Sequence, residues 1–311
     1  MLWSERIGRR LKPRDLHVFL AVVEKGNMAK AAEELAISRP VVSKTIAGLE
    51  RTLGVRLLDR TSKGVEPTLY GRALFKRSLA VFDELQQSVK EIEFLADPSG
   101  GKLRVGFTEI PAAGLVPAAI DQLSQSYPRM TVHTEQGNFA TVVGFLRERR
   151  CEVAVVRLLS QEPDMHFQPL HYEQLLVVVG ARSKWARQRS IELGDLAEER
   201  WVQSPAEMEP GSPTLSAFRS IGLPGPQVIV LSTSLNLRYG LLATGRFVTM
   251  IADSALRHRP HRAPIRILPI KLPRWHVPTC VVTLKDRTLS PVAQLFVETL
   301  HDLAKPLAKG R

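Results

Sequence analysis

The sequence predicts an α/β chain in three parts: a small helical head closed by a β-hairpin, one long amphipathic helix, and a two-lobed α/β body. Three observations carry this. Residues 1–67 place three short segments of helical period ahead of a basic hairpin pattern. Residues 68–96 run without a break, their apolar positions three and four apart. From Lys102 onward, short strand-like runs alternate with helical ones. At 311 residues the chain also exceeds the roughly 250 to 300 residues at which single cores stop growing.

Composition narrows the class. Hydrophobic residues at 44% and charged residues at 24% are ordinary for a folded chain, and no run of about 18 apolar residues offers a membrane span. The opening MLWSERIGRRLKPR carries charges where a secretory leader needs its apolar segment, so a cytoplasmic location and no membrane partner are expected. Cys151 and Cys280 have no CxxC spacing and sit in apolar runs, which reads as two buried thiols in a reducing compartment. The net charge of +12 is uneven: residues 1–77 hold 16 Lys and Arg against 8 Asp and Glu, whereas residues 78–96 hold 1 against 4. A basic N-terminal patch attracts polyphosphate.

Within the head, RDLHVFLAVVEKG (14–26) carries Leu16, Phe19, Leu20 and Val23 on one face, a helix stopped by Gly26. A second helix starts at once: Asn27 is a good N-cap, and MAKAAEELA aligns Ala31, Ala32 and Leu35. AISRPVVSKTIAGLE (36–50) opens a third, with Ser38 placed to cap its free N–H groups and Pro40 in the first turn, where a missing N–H costs nothing. VRLLDRTSKGVEPT then reads as a strand, a tight turn at Ser62, Lys63 and Gly64, and a return strand. Three helices followed by a basic hairpin is the layout of a winged helix-turn-helix.

That layout divides the third helix into two faces. Val42, Ile46 and Leu49 anchor it beneath the small residues Ala31 and Ala32. The other face presents Ser38, Arg39, Pro40, Ser43 and Lys44, the candidate DNA-binding residues. Early in a recognition helix an arginine can grip guanine O6 and N7 with both arms of its fork. Arg60 and Lys63 on the hairpin are placed for flanking phosphates or the minor groove.

Residues 16–72, LHVFLAVVEKGNMAKAAEELAISRPVVSKTIAGLERTLGVRLLDRTSKGVEPTLYGR, with LRVGFT and YGLLATGRFVTMIADSAL further on, strongly resemble the LysR-type transcriptional regulators. The resemblance covers nearly the whole chain. Two departures stand out: Arg39 where the family often has glutamine, and Asn27–Met28 where it often has serine and phenylalanine. The first bears on the operator sequence, the second on local capping and packing. What the resemblance implies is a regulator of transcription on double-stranded operator DNA, homodimeric and homotetrameric, set by a small-molecule effector and able to meet RNA polymerase. It implies no enzymatic activity and no cofactor.

The long helix, Thr68 to Ala96, steps through Phe75, Ser78, Phe82, Leu85, Val89 and Ile92 as a coiled-coil seam does. A stripe with no core of its own calls for a partner helix, so Phe75, Phe82, Leu85, Val89 and Ile92 are the candidate dimerisation residues; in the family the equivalent helix dimerises. DPSGG (97–101) reads as a flexible hinge.

In the body, KLRVGFT, a helix over 115–126, RMTVHTEQ, a helix over 138–149 and CEVAVVRL form a first alternating set, which predicts a parallel sheet. A second set runs over about 167–267, and VPTCVVTLK with a helix over 290–304 returns to the first lobe. Lobe I is thus expected over about 102–161 and 268–311, lobe II over about 162–267. This resembles the periplasmic-binding-protein-like effector domain of the family, and the effector half is also similar to that of the regulator of a galactose-binding protein. Ligands in such sheets sit beyond the carboxyl ends of strands, near helix N-termini. That rule selects Thr108, Glu109, Gln136, Asn138, Ser204, Ser232, Thr233, Ser234 and Asn236 as candidate effector contacts. Glu109 would repel an anion and the hydroxyl-rich STS suits a sugar, while an organic acid held by hydroxyls and helix N-termini fits equally.

Other chemistry is missing from the sequence: GxxxxGK[ST], HExxH, GxSxG and a GxGxxG after a strand do not occur, and RHRPHR (257–262) lacks metal-site spacing and reads as a solvated loop. The expected function is therefore an effector-controlled DNA-binding regulator. The competing class is a two-lobed solute-binding protein or enzyme with an appended nucleic-acid-binding head.

Overall fold

The chain divides into two compact units, residues 1–89 and 90–311. The computed structural model describes residues 11–61, 64–257, 264–273 and 277–309. The RHRPHR loop lies, apart from Arg257, outside the described residues.

In the first unit, helix α1 (Pro13–Lys25) ends at Gly26 in the left-handed conformation, φ 60°. Helix α2 (Met28–Glu34) starts at Asn27, whose side-chain oxygen accepts the N–H groups of Ala29 and Lys30 at 2.8 and 3.3 Å. Helix α3 (Arg39–Leu53) buries Val42, Ile46 and Leu49 against Phe19, Val22 and Ala31. Ser38 holds the N-cap position, but its hydroxyl makes no capping bond. The helix is started instead by Pro40 and by the Ser38 carbonyl, which accepts from Val41 at 2.9 Å and Val42 at 3.2 Å.

Strands β1 (Leu58–Thr61) and β2 (Gly64–Pro67) pair antiparallel with Thr61 opposite Gly64. Gly64 is therefore the first residue of the return strand and not part of the turn. A side chain there has no room: at φ 138° a Cβ would fall 2.3 Å from the Gly26 carbonyl oxygen, which also accepts the Val65 N–H at 2.8 Å. The hairpin is thereby fastened to the turn between α1 and α2. Glu50 closes the other side, its Oε1 accepting from the N–H groups of Leu57 at 2.8 Å and Leu58 at 3.3 Å.

Helix α4 (Leu69–Ala96) begins where the Thr68 hydroxyl accepts the Gly71 N–H at 3.0 Å and donates to the Arg56 carbonyl at 2.8 Å. Its apolar stripe is divided. Phe75 and Phe82, both half-buried, pack on the head's own core, with the Phe82 and His17 rings 5.6 Å apart. Leu85, Val89 and Ile92 remain 51, 54 and 67% exposed in the single chain. The linker boundary also moves: Lys90 lies 3.0 Å from buried Glu152, and Phe94 packs with Tyr127 on the lobe I core, so the last turns of α4 belong to the second unit.

The second unit contains β3 (Gly100–Phe107), α5 (Glu109–Ala112), α6 (Leu115–Ser126), β4 (Arg129–Gln136), α7 (Phe139–Arg147), β5 (Val153–Arg157) and β6 (Met165–Glu173). Then come β7 (Leu175–Gly180), β8 (Arg200–Gln203), α8 (Pro213–Arg219), β9 (Val228–Leu231), α9 (Leu235–Ala243), β10 (Phe247–Ala252), α10 (Asp253–Arg257), β11 (Ile265–Ile267), β12 (Val277–Leu284) and α11 (Pro291–Lys309). The sheets are ordered β4-β3-β5-β12-β6 and β11-β7-β10-β8-β9. Both are mixed, not purely parallel, because β12 runs antiparallel to β5 and β6, and β10 antiparallel to β7. Strand β6 belongs to lobe I, against the expected boundary, since it pairs with β12 from Glu173 opposite Val277 to Met165 opposite Leu284. Lobe II begins at β7.

The expected hinge is firm. The Asp97 Oδ1 accepts the Ser99 N–H at 3.2 Å and hydroxyl at 2.8 Å and pairs with Arg129, while Gly100 and Gly101 already form the start of β3. Among the described residues no helix is long and apolar enough to cross a membrane.

Candidate functional site

The face of α3 turned away from the head's core is open. Ser38, Arg39, Pro40 and Lys44 are exposed, Ser43 is half-buried, and none of their side chains makes an ion pair or hydrogen bond among the described residues. With Val42, Ile46 and Leu49 holding the opposite face, these groups are available to a duplex groove. Arg60 is a β1 position described by its backbone alone, and Lys63 lies outside the described residues.

In the second unit, the carboxyl ends of β3 and β5 meet those of β8 and β9. Glu109, in α5 just after β3, reaches lobe II: its Oε1 accepts the Leu235 N–H at the start of α9 at 2.9 Å. The Gln136 side-chain amide donates to the other oxygen. A carboxylate at a helix N-terminus is favourable, so the charge expected to repel anions is already engaged. Several of the other candidates are engaged at the starts of helices. Asn138 Oδ1 accepts the Thr141 N–H at 2.9 Å, Ser234 Oγ the Leu237 N–H at 3.3 Å and Ser232 Oγ the Ser234 N–H at 3.1 Å. Thr233 and Asn236 are exposed, and Ser204 donates its N–H to Glu207 at 2.8 Å.

Three charged residues outside that set form the centre of the cleft. Arg238 on α9, 2% exposed, donates to the two Glu207 oxygens at 2.7 and 3.5 Å and to the Ser232 carbonyl at 3.2 Å. Arg157, the last residue of β5 in lobe I, brings its guanidinium within 3.9 Å of the same Glu207. Arg157 Nε and Thr108 Oγ1 are buried and make no hydrogen bond among the described residues. Buried polar groups are rarely left so. Signals for this trio exist in the sequence: Arg157 closes a strand at its carboxyl end, Glu207 stands three after Ser204 in capping-box spacing, and Arg238 lies four after Ser234.

Both cysteines are buried and free, and burial pushes each thiol up to about 11. Such thiols are poor nucleophiles and poor redox sensors.

Two family models match, "Bacterial regulatory helix-turn-helix protein, lysR family" over residues 13–72 and "LysR substrate binding domain" over residues 96–305. The chain belongs to the LysR family. It is a LysR-type DNA-binding transcriptional regulator with an effector-binding domain, and not an enzyme. Among similar proteins, the transcriptional regulator GbpR of Azospirillum brasilense is 28% identical over 299 residues, covering 94% of this chain and 86% of that one. The regulator TfdS of Cupriavidus pinatubonensis is 28% identical over 92% of this chain and 96% of its own. In fold, the LysR-type chain is similar to a full-length OxyR variant from Pseudomonas aeruginosa, with a TM-score of 0.65 at 21% identity over 93% and 94% of the two chains. It is also similar to the LysR regulator CbnR, with a TM-score of 0.63 at 22% identity over 94% and 99%.

Proposed function

We propose that this LysR-type regulator works in the cytoplasm as a homodimer that pairs into a homotetramer on double-stranded operator DNA, in contact with RNA polymerase, and answers a small organic acid bound between its lobes. The observation that carries the effector class is Arg157. Glu207 is held by Arg238 and lies 3.9 Å from Arg157, whose Nε, like the Thr108 hydroxyl, is buried without a hydrogen-bond partner among the described residues. A carboxylate supplies both with acceptors. The sugar reading is weaker, because the Ser232 and Ser234 hydroxyls that favoured it already cap the start of α9. Support for DNA reading comes from the open α3 face, and for self-association from Leu85 and Val89, large apolar side chains left exposed on α4. A solved complex of the similar regulator CbnR with its target DNA, matched with a TM-score of 0.56 at 23% identity, agrees with this reading.

A mobility-shift assay of the full chain against total genomic fragments, with random competitor DNA, tests the proposal. A small set of fragments should survive competition at about 150 mM salt, near the physiological value, where non-specific complexes are weak. Equal loss of every fragment would contradict operator recognition.

A further inference from the structure

We infer a second ligand site on lobe I, away from the interlobe cleft, in which Arg104 and His133 bind a small phosphate-type oxyanion. Arg104 on β3 and His133 on β4 are register partners of a parallel pair. Their neighbours Leu103, Val105, Met130 and Val132 pack into the lobe I core, so both side chains emerge on the face that α7 covers. Helix α7 covers that face only in part. It closes over Gly106, where a Cβ would meet Val142 at 3.1 Å and Cys151 at 3.4 Å, and leaves the Arg104–His133 pair exposed in a cavity of about 360 Å³.

The charge arrangement in this cavity is unbalanced. Neither Arg104 nor His133 has a hydrogen bond or ion pair among the described residues. Glu135 lines the same cavity and pairs with Arg150, and Glu152, beside Arg104 on the other flank, holds Lys90 at 3.0 Å and the Ser290 N–H at 3.2 Å. Arg150 is itself positioned, its guanidinium 4.3 Å from the Phe145 ring centre and 3.6 Å from Glu148. Arg104 and His133 thus bring donors from β3 and β4 that no carboxylate takes up, beside an Arg150 already shared between Glu135 and Glu148. A tetrahedral oxyanion can accept from both, including both arms of the Arg104 fork. The interlobe cleft lies at the carboxyl ends of the strands, whereas Arg104 is in the body of β3, so this site does not depend on the effector reading.

Isothermal titration of the full chain at constant ionic strength, with inorganic phosphate and with glycerol 3-phosphate as separate titrants, tests the inference. The parent should give saturable binding, weakened about tenfold or more in Arg104→Gln and in His133→Gln, the loss expected when charge-assisted bonds are removed. Arg189→Gln, an exposed arginine in lobe II, should leave it unchanged. Tighter binding of glycerol 3-phosphate assigns the site to phosphorylated metabolites, and equal binding assigns it to free phosphate. No saturable binding of either titrant, or binding unaltered in both variants, overturns the site. Should Arg104→Gln fail to fold by circular dichroism, His133→Gln decides alone.

Discussion

The reading face of α3 and the interlobe cleft are both polar, and they treat their polar groups in opposite ways. On α3, Arg39 and Lys44 are exposed and unengaged, held in place from behind by Val42, Ile46 and Leu49. In the cleft, Glu109, Glu207 and Arg238 are bound to one another's lobes or helices, with Glu207 6% and Arg238 2% exposed. A partner that supplies its own dense charge needs only a pre-shaped, solvated face. A small ligand must instead enter a network in which Glu109, Glu207 and Arg238 are already engaged and Arg157 Nε and the Thr108 hydroxyl are not, so its binding and the lobe arrangement are linked. Substitutions in the head should therefore change DNA affinity with the fold intact, and substitutions in the cleft should change the fold's stability first.

The strongest response should come from the long helix. Leu85→Glu with Val89→Glu should lower the mass seen by light scattering and weaken operator binding by about 10² to 10⁴, the gain that two linked heads have over one. An unchanged mass would contradict the assignment of this face of α4. In the cleft, Glu207→Gln leaves Arg238 charged and buried without its partner, which should cost about 3 to 5 kcal/mol in a denaturant titration. A loss below about 1 kcal/mol would show that the network is solvated.

The crossing from β6 to β7 extends the contrast to pH. Glu173 is buried there, its Oε1 contacted by His171 at 2.9 Å, Ser254 at 2.9 Å and Thr279 at 2.8 Å. Burial pushes its carboxyl up, but His171 and the two hydroxyls outweigh burial and hold it at about 2, below the ordinary 4.5. A depressed folded-state value stabilises above the unfolded value and is lost as pH falls through the folded one. Stability should therefore decline between about pH 5 and pH 2 by on the order of 3 kcal/mol, and Glu173→Gln should flatten that limb. An acid limb identical in the variant would place the effect elsewhere. A smaller change is expected from Arg39→Ala, which should cost about 1 to 3 kcal/mol on the operator and relax one base position, while Lys63→Ala weakens all sequences alike and lowers the salt slope by about one. Equal weakening of specific and random DNA by Arg39→Ala would remove its base-reading role.

How far the sequence can be read follows the range of the interactions. Helix α6 and strand β4 have the expected bounds because their signals are local: apolar periodicity within Leu115–Ser126 and alternation within Arg129–Gln136. The Asn27 cap and the Gly26 stop are legible for the same reason. Strand β6 falls in the other lobe from the one its place in the sequence suggests, because its partner β12 lies more than a hundred residues on and nothing local distinguishes the two sheets. Glu109 looks repulsive to anions in the sequence because Leu235, 126 residues away, supplies the helix N-terminus that neutralises it. Phe75 and Phe82 fit a seam by spacing alone; that they turn onto the head depends on how α4 leaves Gly71, where a Cβ would lie 2.0 Å from the Leu57 carbonyl oxygen. The strand-end rule finds Thr108, Glu109 and Gln136 at the cleft. It reaches Arg157 as well, but polar caps draw the eye away from Arg157, Glu207 and Arg238, whose partnership spans both lobes.

Everything inferred about the effector turns on the cleft sensing an anion through Arg157. A thermal-shift panel of small carboxylates and monosaccharides on the parent and on Arg157→Gln decides this, since a ligand at 100 times its dissociation constant stabilises by about 2.7 kcal/mol. One or more carboxylates should raise the melting temperature of the parent by several degrees and leave Arg157→Gln unmoved. Stabilisation by sugars alone, or by carboxylates equally in both proteins, would contradict an anion sensed through Arg157.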